Sequence, residues 1–190
     1  MKPVHSILSA APTLSNKRIV QFFINLFILF SIWFVAYALI LRPPRILDRP
    51  LTNFITNAVV GCFNILSPAA QTITWKEIPG GSGAELVQNG KSVFGIWDVC
   101  NGIDLMFIYV GILVLLPYRL KRKIIFSIGG IVAIIIANII RVTALYFINI
   151  YQQSAFYFSH HYVFTILMYI LIFYGWLLFI KTTKTNAKSS

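Results

Sequence analysis

Apolar residues in this chain gather into long runs separated by short basic or proline-containing stretches, not into the brief alternating segments of a water-soluble domain. Residues 19–41 are almost wholly apolar and span about 33 Å as a helix, enough to cross a bilayer. Arg42-Pro43-Pro44-Arg45 ends that run, because proline cannot continue a helix and restricts the residue before it. Further apolar runs over 101–117, 124–150 and 160–180 predict three more spans. A basic turn at 118–123 joins the first two of these, and an aromatic-rich loop at 151–159 precedes the last. Gly129-Gly130 marks a point of close helix packing in the 124–150 span.

Two segments have a different texture. Over 51–66, Phe54, Ile55, Ala58, Val59, Cys62, Phe63 and Leu66 repeat at helical spacing, while Asn53, Asn57 and Asn64 share the other face. Three asparagines are costly in lipid, so this reads as an amphipathic helix lying at the membrane interface. Over 70–99, alternating Ile73, Trp75 and Ile78, the Pro79-Gly80-Gly81-Ser82-Gly83 turn and the Val93/Phe94/Ile96/Trp97 group predict short strands or a hairpin outside the membrane. The expected architecture is an all-α polytopic membrane protein with about four transmembrane helices. One membrane domain, 1–190, carries the interfacial helix and the small extracytoplasmic hairpin-like region.

Composition agrees. The chain is 58% hydrophobic and 11% charged, with mean hydropathy +0.79, against roughly 45–50% and about 25% for soluble domains. The first apolar run is long and begins only near Ile19, which reads as a span and not as a cleavable signal peptide. The net charge of +11 does not form an aromatic-interleaved patch, so nucleic acid is not an expected partner. The bilayer is. With four spans, Lys2, Lys17, Arg18, Arg119, Lys121, Arg122, Lys123, Lys181, Lys184 and Lys188 share one side, which lysine and arginine mark as cytoplasmic. Asp48, Glu77, Glu85, Asp98 and Asp104 fall on the other side or at its edge. Both termini are then cytoplasmic, in a multi-pass protein of the inner (cell) membrane. Arg42, Arg45 and Arg49 are discordant, because they lie outside.

Polar residues intrude at three places: Cys100-Asn101-Gly102, Asn138-x-x-Arg141, and His160-His161. Measured from the cytoplasmic end at 1.5 Å per residue, Arg141, Cys100 and His160 lie at about 25, 27 and 31 Å, a common depth near the outer boundary of the hydrocarbon core. An arginine inside a span is a functional candidate by default, against the bland reading of a side chain snorkelling to headgroups. Cys100 precedes a helix and is level with a cation, two features that lower a thiol pKa and favour the nucleophilic thiolate. It also reads as a small packing residue, or as half of a Cys62–Cys100 disulfide. The cysteines match no zinc or CxxC spacing, so neither metal nor cofactor is expected. A histidine at this depth supplies an acid and base for thiol acyl transfer, or is an interfacial residue without chemistry. Asn138, one turn from Arg141, shares its face and is placed to bond it or hold it.

This pattern resembles the exosortase/archaeosortase family of membrane transpeptidases. The resemblance rests on Cys100-Asn101-Gly102-Ile103 opening one helix, Asn138-Ile139-Ile140-Arg141 near the outer end of the next, and His160-His161-Tyr162-Val163-Phe164 opening the one after. Asn101 stands where a small residue is usual, and larger exosortases carry more N-terminal spans, so the chain resembles a short, divergent branch. The resemblance implies Cys100 as nucleophile, Arg141 as stabiliser of thiolate or oxyanion, and His160 as general acid/base, with His161, Asn138, Asn101 and Gly102 supporting or alternate. Phe164, four positions after His160, favours His160 over His161. Implied substrates are exported proteins with a C-terminal motif, membrane helix and basic tail, cleaved at the outer face and passed to an acceptor. Competing readings are a non-catalytic assembly or transport-associated membrane protein with a structural Arg141, and a thiol redox protein using Cys62 and Cys100.

Overall fold

The computed structural model describes residues 16–66 and 73–187. Expectations resting on Lys2, Lys188, residues 70–72 and the Lys184 side chain lie outside what it describes. The chain is mostly helical. Helix α1, Asn16–Ala36, runs on through a π turn, Tyr37–Leu41. Helix α2 is Asp48–Leu66 and precedes three strands: β1, Thr74–Glu77; β2, Gly83–Gln88; β3, Lys91–Trp97. After a 3-10 turn, Asp98–Cys100, come α3, Ile103–Leu115, and α4, Leu120–Tyr151. The chain then continues as α5, Gln153–Phe158, a second π turn, Ser159–Val163, and α6, Phe164–Ala187.

Three of the described helical segments are long and apolar enough to cross a membrane: Lys17–Leu41, Leu120–Tyr151 and Gln153–Thr182. Helix α3 has 13 residues, about 20 Å, less than the run expected over 101–117. It is short because its ends are spent on stopping it. Gly102 sits at φ +83 ahead of it, and Leu116 is extended immediately before Pro117. The expected loop at 151–159 is instead largely helical. Gln153–Phe158 contains no helix breaker, and the only interruption is Gln152 at φ −150.

Helix α1 runs antiparallel to α3, with Trp33 stacked on Phe107 at 4.0 Å and Leu29 against Gly111. On α4, Ile134, Asn138, Val142 and Leu145 form one buried stripe at helical spacing. Tyr109 of α3 fills a notch between α4 and α6, where a Cβ on Gly130 or Gly175 would overlap its ring. Gly130 is therefore the close-packing glycine, and nothing lies within 4 Å of a Cβ on Gly129. At the far end Lys123 donates to the Val114 carbonyl and Arg122 to that of Thr182. The basic stretch expected as a turn over 118–123 is mostly the first turn of α4, and it lies beside the last third of α6.

The sheet is an antiparallel meander in the order β1-β2-β3, with a bulge between Leu86 and Val87. Asn89 (φ +55) and Gly90 (φ +75) make the tight β2–β3 turn, the left-handed pair that a two-residue hairpin requires. Helix α2 is amphipathic, but its apolar face meets its own chain and not lipid. Ile55, Val59, Val60 and Phe63 are buried with Ile73, Leu86, Ile96, Val142 and Tyr146, so α2 is packed between sheet and α4. Two of its asparagines bond to protein: Asn53 donates to Glu77, and Asn64 pairs with the Ile73 backbone.

Candidate functional site

The sheet delivers the chain to Cys100 and the helices bring the rest. His160 Nε2 lies 3.6 Å from Cys100 Sγ and 3.3 Å from a terminal nitrogen of Arg141. The guanidinium has donors only, so in this pairing Nε2 is the acceptor and carries no proton. Its single lone pair is engaged by Arg141 in this arrangement, so taking the thiol proton requires the Arg141 contact to give way. Phe156 stacks on the His160 ring at 5.8 Å. Among the described residues no carboxylate forms an ion pair with Arg141, and its Nε is buried without a partner. Beside it is a cavity of about 230 Å³, lined by Val99, Asp104, Leu105, Arg141, Thr165 and Tyr169 among others.

The two histidines separate as a helix dictates. His161 is exposed, with Nδ1 3.1 Å from the Tyr157 carbonyl, and only His160 faces Cys100. Asn138 does not bond Arg141: its Nδ2 donates to the Cys100 carbonyl at 2.8 Å. Asn101 is fully buried and turns away from the thiol. It donates to Asp48 at 2.8 Å and accepts from the Ile103 N–H at 2.9 Å, an Asx turn that leads into α3. Gly102 approaches the Asn138 side chain, 3.8 Å from where its own Cβ would be. Cys62 and Cys100 are both free thiols.

Burial pushes the Cys100 thiol above its ordinary range, and the Arg141 cation pulls only partly against this. Helix end and cation favour the thiolate, but the larger effect here is desolvation. A resting thiol beside an unprotonated imidazole suits a base that takes the proton as attack occurs.

Three functional candidates, Arg45, Thr52 and Asp48, were not singled out from the sequence. Arg45 grips Asp98 with Nε at 2.6 Å and a terminal nitrogen at 2.9 Å, and Thr52 adds a 2.8 Å bond to the same carboxylate. Asp48 is buried and accepts from Tyr37 and Asn101. This polar frame fixes both flanks of Cys100 and draws Asp98 away from the thiol. Its signal was the Asp48/Thr52/Thr56 series, four residues apart on one helix face. All three side chains are buried. Asn101, Asn138 and Asp98 therefore hold the Cys100 turn, while His160 lies at its sulfur and Arg141 at His160.

No curated protein and no solved structure matches the chain. Residues 10–183 match the family model for the transmembrane exosortase (Exosortase_EpsH), nearly the whole length. A polytopic helical protein matched by that model over residues 10–183 is a member of the exosortase family, a membrane family known for peptidase and transpeptidase activity.

Proposed function

We propose that the chain is a membrane-embedded cysteine transpeptidase that removes C-terminal sorting tails from exported proteins, with Cys100, His160 and Arg141 as its catalytic residues. The observation that carries this is the single nitrogen, His160 Nε2, within reach of both the thiol and the guanidinium. Cys100 passes its proton to Nε2 as Sγ bonds to the substrate carbonyl carbon. The oxygen takes up the negative charge, and Arg141 is the cation beside it. The carbon–nitrogen bond then breaks, the leaving amine takes the proton from His160, and the tail departs. An acceptor amine attacks the thioester and yields its proton to His160, and the carbon–sulfur bond breaks to restore the thiol.

In this reading α3 completes a four-span bundle. The antiparallel α1–α3 packing and the Arg122–Thr182 contact support it, since Lys17, Arg18, the 118–123 turn and Lys181 then share one end. That end is cytoplasmic by the distribution of lysine and arginine, and Cys100 faces the extracytoplasmic side. Of the three discordant charges, Arg45 and Arg49 are paired with Asp98 and Glu77.

The test is co-expression with an exported protein carrying a C-terminal motif, helix and basic tail. Cys100→Ser, His160→Ala and Arg141→Leu each abolish tail removal, whereas His161→Ala retains it. Processing by Cys100→Ser overturns the reading.

A further inference from the structure

We infer that the free edge of β3 is the docking site for the extended peptide segment that precedes the cleaved bond of a protein substrate. The inference rests on the reading of Cys100 as nucleophile.

The sheet has two edges and they differ. Beside β1, Glu77 accepts bonds from Arg49 and Asn53 of α2. Among the described residues β3 pairs only with β2, and it runs straight into the 3-10 turn bearing Cys100. Two bonds fix which backbone groups face outward. The Asp98 N–H donates to Ser82 at 2.9 Å, and the Gly83 carbonyl turns to the Ile78 N–H on the β1 side at 3.2 Å. Ladder alternation then directs the Ile96 backbone at β2 and that of Gly95 and Trp97 away from it. Gly95 and Trp97 are both exposed. An open edge of this kind takes up an extended strand through main-chain bonds.

Chemistry calls for that conformation. A thiol must reach a backbone carbonyl carbon, which a helical segment hides and an extended one presents. Position agrees on both sides of Cys100. The edge lies before it, on the sheet, and the cavity of about 230 Å³ beside Arg141 lies after it, among α3, α4 and α6. A substrate whose body is outside and whose tail helix is in the bilayer would cross the site in that order. Phe156 touches both Phe94 of β3, at 6.2 Å, and the His160 ring, so the edge and the base share a neighbour.

Gly95 allows a specific test in the full-length protein in membranes, co-expressed with the tailed substrate. Gly95→Pro removes one outward N–H without taking a bond from β2. Gly95→Ala keeps it, and its Cβ would meet Trp97 at an ordinary 3.5 Å. Gly95→Pro is expected to lower tail removal about tenfold, in line with a lost backbone bond and a displaced strand, with Cys100 alkylation unchanged in the absence of substrate. Gly95→Ala loses much less. Parent-level processing by Gly95→Pro overturns the edge proposal. If Cys100→Ser still processes, it is the transpeptidase reading that fails. Should Gly95→Pro also lose alkylation, disulfide trapping decides. Gly95→Cys with Cys62→Ser and Cys100→Ser, against single cysteines along the substrate segment, gives cross-links at alternate positions if the segment is a strand. Absent or unpatterned cross-links overturn the proposal.

Discussion

Arg141 has no carboxylate partner among the described residues, and its Nε is buried without a hydrogen bond. An unpaired cation in such a place costs free energy, so it reads as a group waiting for negative charge. The tetrahedral intermediate of acyl transfer provides that charge, and in the resting state His160 Nε2 takes the nearest donor. The thiol is held in its neutral form by burial, against the pull of Arg141. Its charged form is the disfavoured one, so the proton leaves only at higher pH. In a Cys62→Ser background, alkylation of Cys100 by iodoacetamide should therefore rise with pH along a curve centred above that of free cysteine. Arg141→Leu removes the one lowering influence and moves the curve higher still. A parent curve centred at or below free cysteine contradicts this. Residue types and depth made Cys100, Arg141 and His160 legible in the sequence. Burial was not legible, because it depends on what packs over the turn, and the expected direction of the thiol shift was accordingly opposite.

Among elements, the decisive one is the turn Asp98–Cys100, which has too few residues to hold its own shape. Arg45 and Thr52 hold Asp98, Asn101 is held by Asp48, and Asn138 holds the Cys100 carbonyl. Arg45 adopts φ +53, an uncommon conformation for a residue with a side chain, and the bidentate pair it makes compensates. The side chains of Arg45 and Asp98 are only 16% and 8% exposed, and removing one member of such a pair costs about 3–5 kcal/mol. Arg45→Met should lower thermal stability in detergent by that order and slow Cys100 alkylation. Arg45→Met with Asp98→Leu should lose less than the sum of the two single changes, whereas strict additivity would refute a coupled pair. The long helices were readable because bilayer thickness sets their length independently of tertiary context. Helix α2 was readable as amphipathic, but periodicity does not say whether lipid or protein covers the apolar face. Arg45 stood out only as a misplaced charge, since its partner is 53 residues away.

For the whole molecule, the basic cluster Arg119–Lys123 and the Cys100 turn sit at opposite ends. Lys123 bonds the end of α3 and Arg122 bonds Thr182 of α6 from the first turn of α4, while Cys100, Arg141 and His160 converge at the other end beneath a sheet that α2 fastens to α4. That arrangement suits a substrate whose folded part is on the sheet side and whose tail helix lies in the bilayer. The central claim is that the Cys100 sulfur becomes covalently joined to the substrate. Acid quenching during tail removal, followed by mass mapping, tests it most directly. The account predicts a hydroxylamine-labile adduct on Cys100 with the mass of the truncated substrate. An adduct on a different residue, or tail removal that persists in Cys100→Ala, would contradict it.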